Sequence, residues 1–151
     1  MLFSQPRPLC SADYHKRYIQ LLSELTTVVD MNSNKISEEN FCKFVLDLSK
    51  NHIIMVIEDL TSATIVATGT LLIEPKIIHG LGHVGHIEDV VVLKNQRGSG
   101  LGNRIITTLV QLAQHHSCYK IVLDSTAEGV PFYEKNGFIR KEQCMMRYLV
   151  D

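Results

Sequence analysis

The chain has no stretch of the about 18 consecutive apolar residues that a membrane-spanning helix needs, so no membrane partner is expected. It has no run of lysine or arginine and a formal net charge of -1, which argues against a surface built to neutralise nucleic-acid phosphates. Nor are aromatic and basic residues interleaved in the way that stacked bases would require. Cysteine is scarce: Cys10, Cys42, Cys118 and Cys144 include no closely spaced pair, which excludes the spacing of a zinc site or a redox motif and leaves reduced, mostly buried thiols. The first ten residues carry Gln5, Pro6, Arg7 and Pro8 where a secretory leader would be apolar, so a cytoplasmic location is expected. Repeats, low-complexity tracts and linkers are also lacking. What is present is ordinary for one globular unit: 151 residues, 45% hydrophobic and 21% charged, enough to bury a core unaided and better suited to a small ligand than to a polymer.

The apolar positions Tyr18, Leu21, Leu22, Leu25 and Val28 recur at three- and four-residue steps, predicting a helix from Ser11 to Asp30 capped by Ser11 or Asp13. A second helix is expected from about Ser37, with Phe41, Phe44, Val45 and Leu48 on one face. Three β-rich runs follow, His52 to Glu58, Thr64 to Ile73 and Gly85 to Leu93, expected as antiparallel neighbours. Leu101, Ile105, Leu109 and Leu112 then mark a helix reaching His116. Tyr119 to Asp124 reads as a short buried strand, which the intervening helix makes parallel to its predecessor. A short helix from Pro131 should end at Asn136-Gly137, a left-handed cap, before a strand-like Cys144 to Val150.

Between the third strand and the long helix lies Arg97-Gly98-Ser99-Gly100-Leu101-Gly102. Three glycines in five positions let the backbone approach a ligand closely, and the helix start adds unpaired N–H groups and a positive dipole end. Arg97 adds a permanent positive charge, so a phosphate or pyrophosphate is the natural guest. A Walker A loop would need Gly-Lys and then Ser or Thr at its end, where this chain has Gly102-Asn103-Arg104. A dinucleotide loop would need a third glycine at Asn103, although Asp124 does close the next strand; it stands as the runner-up. The third pattern, Arg/Gln-x-x-Gly-x-Gly/Ala, is met by Arg97, Gly100 and Gly102, and it resembles the pyrophosphate loop of the GNAT superfamily of N-acetyltransferases.

Glu88 and Asp89 interrupt an apolar strand, and simple alternation would send them to opposite faces of the sheet, so that they could not act as one pair; the plainer alternative is that both lie near a strand end and are solvated. Asp124 falls at the carboxyl end of its strand, where ligands of open sheets collect, though a loop-opening aspartate explains the position equally well. Tyr133 follows Phe132 on the short helix; without further information both read as core. His79, His83 and His86 could suggest a metal loop, but with no cysteine or carboxylate at helical ligand spacing a glycine-rich hairpin with polar tips explains them more simply, and no metal is expected.

Taken in order, GHIEDVVV, RGSGLG, CYKIVLDS and PFYEKNGF, with LTTV at Leu25–Val28 and EPKIIH at Glu74–His79, resemble the glucosamine 6-phosphate N-acetyltransferase branch of that superfamily over nearly the whole chain. The resemblance implies an α/β (α+β) fold of GNAT type, with a mixed central sheet, splayed central strands and flanking helices, in one domain over residues 1–151. It implies transfer of the acetyl group of acetyl-CoA to the amine of glucosamine 6-phosphate in a ternary complex, a step of UDP-N-acetylglucosamine biosynthesis. Val90, Val91 and Val92 would hold the pantetheine arm by their backbone, and Gly98, Ser99, Gly100, Leu101, Gly102 and Asn103 the pyrophosphate. Tyr133 would stand near the sulfur, with Glu134 and Lys135 beside the cofactor. The sugar phosphate would meet Thr26, Lys76, Ile77, Ile78, His79, Glu88, Asp89, Val90, Tyr119, Lys120, Asp124 and Arg147. Glu88 or Asp124, acting through water, would take the amine proton, and Tyr133 would protonate the departing thiolate. Where many acetyltransferases place an asparagine before the short helix, this chain has Gly129. The resemblance also implies a homodimer sharing sugar-site residues through the C-terminal strand. Rival readings are a GNAT enzyme for a polyamine, protein N-terminus or lysine, and an acyl-CoA- or dinucleotide-binding module without chemistry.

Overall fold

The computed structural model describes residues 2–25 and 36–149. Five strands form one sheet in the order of the chain: β1 (Arg7–Pro8), β2 (His52–Asp59), β3 (Thr64–Pro75), β4 (His83–Val92) and β5 (Cys118–Val122). The first four run antiparallel to their neighbours, and β5 lies parallel to β4. The helices are α1 (Tyr18–Leu22), α2 (Glu38–Asp47), a kinked turn α3 (Ile78–Leu81), α4 (Leu101–His115) and α5 (Val130–Lys135). Helix α4, the crossover between the parallel strands β4 and β5, buries Leu101, Ile105, Ile106 and Leu109 against Leu71, Ile73 and Ile87 on one face of the sheet. Tyr18, Leu21 and Phe41 cover Ile54, Val56, Ile65 and Val91 on the other. Each such aliphatic side chain removed from water contributes about 1.5–3 kcal/mol.

The N-terminal segment departs from a single helix. Ser11–Lys16 is a 3-10 helix, and Arg17, with φ 62°, breaks it before the five residues of α1. Cys10 occupies the cap position, and Asp13 accepts its backbone N–H from inside the first turn at 2.9 Å. The break follows from a stronger demand: Asp13 is fully buried in a two-pronged pair with Arg7 (2.7 and 2.8 Å), and Arg7 also reaches Glu58, which Lys16 holds from the other side. Residues 26–30 of the expected helix lie outside the described residues. Helix α2 starts as expected, with Ser37 Oγ accepting the Asn40 N–H.

Two further expectations change. Strand β5 stops at Val122, and Tyr119 and Lys120 are exposed, because no described strand pairs with its outer edge. Residues 144–149 form no strand: Met145, Met146, Tyr148 and Leu149 stand in solvent, and Val150 lies outside the described residues.

A bulge in β4 shapes everything that follows. Thr70 pairs with Glu88 but Thr68 pairs with Val91, so Gly69 alone faces Asp89 and Val90, and Asp89 takes φ 51°. The extra residue exchanges the faces: Ile87 packs beneath α4, while Val91, four residues on, packs on the α1 side. Alternation therefore does not carry across the Glu88-Asp89 pair, and both carboxylates are exposed rather than buried in the strand.

Candidate active site

Strands β4 and β5 separate. Their pairing ends at His86 with Val122, whereas β3 stays paired with β4 as far as Val92. Beyond His86 one edge of β4 thus has no described strand beside it, and the stretch from Val90 to Val92, where Arg97 takes the Val92 carbonyl, borders an opening that fits an extended ligand. The bulge falls inside this stretch and turns the edge further from β5.

The glycine loop closes the wide end of the opening. Gly98 and Gly100 adopt φ 81° and 84°, with no heavy atom within 4 Å of where a Cβ would stand, so the loop is an open cradle. Leu101, Gly102 and Asn103 precede the first intrahelical bond of α4, from the Arg104 N–H to the Gly100 carbonyl, and their N–H groups face the helix entrance. These features fit a pyrophosphate. Arg97 departs from the expected free cation: its guanidinium donates to Glu24 at 3.2 Å and to the Val92 carbonyl at 3.2 Å, so it secures the loop to the strand end. Glu24 also accepts the Lys94 N–H, and sequence reasoning missed it because it lies 73 residues from Arg97.

Helix α5 packs against this loop. Phe132 fills the space a Cβ on Gly102 would occupy, 3.2 Å away. Tyr133 stacks edge-on with Phe132 and Phe138 and is half-buried, so the aromatic pair serves core and cleft together. The helix ends as expected: Gly137 takes φ 85°, with its N–H on Glu134 and the Phe138 N–H on Tyr133. Burial, and then the negative charge of Glu88, raises the Tyr133 pKa. Glu88, though exposed, is itself raised, first by partial desolvation in the groove and then by Asp89 and Asp124. Asp124 accepts a bond from Cys144 Sγ at 3.3 Å. Tyr133, Glu88, Asp89 and Asp124 thus share one electrostatic neighbourhood, and Cys144 extends it.

The other expected sugar contacts gather at a second corner. The Lys76 N–H donates to the Gly82 carbonyl, closing a turn in which His79, Gly80 and Leu81 all have positive φ. The His79 ring lies 4.2 Å from that of Tyr119, and Gly82 is required there because a Cβ would stand 3.0 Å from the tyrosine ring. Ile77 and Ile78 point into solvent. Lys120 is exposed beside Tyr119, and Glu134 pairs with Arg140. Arg147, on the exposed tail, makes no hydrogen bond or ion pair among the described residues, and Thr26 lies outside them. Sequence reasoning also passed over Glu74 and His86, which line a groove of about 500 Å³ with Glu88 and His52. Their period-two spacing from Leu72 and Glu88 was the available signal.

The splayed strands, the glycine cradle and the tyrosine of the helix packed on it agree with a match of residues 16–138 to the acetyltransferase (GNAT) family. The chain belongs to that family. It is 41% identical over 134 residues to a glucosamine 6-phosphate N-acetyltransferase of Candida albicans, covering 87% of each chain. It is 39% identical over 149 residues to a probable glucosamine 6-phosphate N-acetyltransferase of Oryza sativa, covering 95% of this chain and 87% of that one. The crystal structure of the Arabidopsis thaliana glucosamine-6-phosphate N-acetyltransferase superposes with a TM-score of 0.92 at 35% identity, covering 99% of this chain and all of the other. As an N-acetyltransferase of this family the chain takes acetyl-CoA as co-substrate. Among the described residues no three His, Cys, Asp or Glu side chains gather as a metal site, and no helix is long and apolar enough to cross a membrane.

Proposed function

We propose that this chain acetylates the amine of glucosamine 6-phosphate, giving N-acetylglucosamine 6-phosphate and free coenzyme A. The observation that carries the reading is the unpaired edge of β4 beyond His86, which runs between the glycine cradle and the Glu88–Tyr133 neighbourhood. The likeness to named glucosamine 6-phosphate enzymes over most of the chain supports the choice of acceptor.

Acetyl-CoA brings an activated thioester carbonyl. Val90–Val92 hold its arm by backbone bonds, and Gly98–Asn103 take the pyrophosphate. A backbone N–H near Val90 serves the developing oxyanion, worth about 3 kcal/mol per donor. Glu88 holds protons more tightly than an ordinary carboxylate, which suits it to accept the ammonium proton through water; Asp124 stands second in that role. Tyr133, protonated at neutral pH as any tyrosine is and with its pKa raised further, donates to the leaving sulfur. Lys76, His79, Lys120 and Arg147 are the donors for the sugar phosphate. The apolar tail at Met145, Met146, Tyr148 and Leu149, together with the open outer edge of β5, supports a homodimer that would bring Arg147 to a site.

The test is release of coenzyme A thiol from acetyl-CoA with glucosamine 6-phosphate, run beside glucosamine, a polyamine and a lysine peptide, with the mass measured in solution. Turnover confined to the phosphorylated sugar, by a dimer, is expected. Turnover with the polyamine or peptide instead, or bound acetyl-CoA with no turnover, would overturn the acceptor; a fully active monomer would overturn the dimer.

A further inference from the structure

One row of charged side chains crosses the sheet face opposite α4. Glu88 and His86 stand two residues apart on β4, before the bulge, and so share a face. Glu74 stands on β3 opposite Val84, diagonal to His86, and its Oε2 meets His86 Nε2 at 2.9 Å. Its other oxygen accepts from the Lys76 ammonium at 2.5 Å. Lys76 opens the segment assigned above to the sugar phosphate. The row therefore runs from the anion corner to the assigned proton acceptor.

We propose that His86, held by Glu74, is a positioning residue that transmits the arrival of an anion at Lys76 to the carboxylate of Glu88. The proposal rests on the reading of Glu88 as proton acceptor. Without substrate, Glu74 divides its charge between Lys76 and His86. A phosphate that draws the ammonium to itself leaves Glu74 facing the imidazole alone, and His86 then holds a proton, taken from the open groove, more firmly. The resulting imidazolium favours ionised Glu88 and offsets the partial desolvation and the charges of Asp89 and Asp124, which raise its pKa. Glu88 thus remains a base to lower pH when the sugar phosphate is seated. The remaining titratable group lining the groove is His52 on β2, which makes no hydrogen bond to this row among the described residues.

The test follows the His86 ring by NMR, assigned with His86→Gln, through pH titrations of the whole chain in sodium sulfate and in sodium chloride at matched ionic strength. Sulfate keeps its charge over the range, and His115, far along α4, is the reference. Sulfate should raise the His86 midpoint by about half to one pH unit. Lys76→Met should raise it already in chloride and abolish the sulfate response, and Glu74→Gln should lower it. In turnover of glucosamine 6-phosphate, His86→Gln should move the acid limb of kcat/KM upward by about one pH unit, with the loss confined to the acid side. A sulfate-insensitive midpoint, or an equal loss of kcat/KM at every pH, overturns the proposal. Absence of turnover in the unaltered chain would instead refute the acceptor and leave the titration readable.

Discussion

Replacing Gly69 by alanine tests whether the bulge and the helix over it are built as one unit. Gly69 is the single residue of β3 opposite Asp89 and Val90, and α4 crosses directly above it. A Cβ placed there would stand 2.7 Å from Ile105 Cγ2, 3.1 Å from Leu109 Cδ1 and 3.4 Å from Val90 Cγ2. Ile105 and Leu109 are wholly buried, so neither can swing into solvent. Ordinary carbon contact is about 3.5–4.0 Å, and the isoleucine methyl would have to recede by about 1 Å, carrying α4 with it. Overpacking of this kind costs about 1–3 kcal/mol. At about 2–4 °C per kcal/mol for a domain of this size, a midpoint of 2 kcal/mol lowers Tm by about 4–8 °C. Because α4 begins at the glycine cradle, the KM for acetyl-CoA should rise as well. Thermal unfolding followed by circular dichroism, with kinetics alongside, reads both. Gly98→Ala is the control for the melting alone: its Cβ meets nothing within 4 Å, so only the left-handed backbone, about 1 kcal/mol, enters the stability. A Gly69→Ala protein that melts within 1 °C of the unaltered chain would refute the close packing of α4 on the bulge.

Tyr133→Phe keeps the ring that packs on Phe132 and Phe138 and removes the hydroxyl; kcat should fall about 100-fold with KM for either substrate changed only a few-fold, and a KM effect without a kcat effect would contradict its role as acid. The Arg7–Asp13–Glu58–Lys16 cluster sets acid stability. Burial would raise Asp13, but the Arg7 and Cys10 hydrogen bonds prevail and hold it below its ordinary value, and bonds from Lys16 and Arg7 do the same for Glu58. Groups with lowered native pKa stabilise fully above the unfolded value and lose that contribution as pH falls through the native one. Asp13→Ala should therefore cost about 3 kcal/mol at pH 7 and progressively less below about pH 4 in urea unfolding; a deficit independent of pH would refute the ionic account.

Features encoded within a few neighbouring residues were legible in the sequence. The cradle at Gly98–Gly102, the amphipathic stripe of α4, the Ser37 cap and the Gly137 stop each rest on local residue chemistry, and each stands where the pattern placed it. What was not legible depends on partners far along the chain. The bulge at Asp89 follows from Gly69 and its packing under Ile105 and Leu109 of α4, sixteen to twenty residues away, so strict alternation misplaced the carboxylates. The break at Arg17 follows from the pull of Glu58 on Arg7 and Lys16. Arg97 read as a free anion-binding charge because nothing near it in sequence marks Glu24 as its partner. His86 was weighed as a metal ligand when its neighbour across the strands is Glu74.

The close approach of Phe132 to Gly102 packs the entrance of α4 directly against the start of α5. On the proposed reading that packed pair carries the pyrophosphate cradle at one point and the Tyr133 hydroxyl at another, so it works as a gauge of fixed length. A carrier whose arm is shorter or longer than pantetheine would dock its phosphates correctly and present its carbonyl at the wrong mark. Selection among acyl carriers would then come from span, with no side chain reading the arm itself.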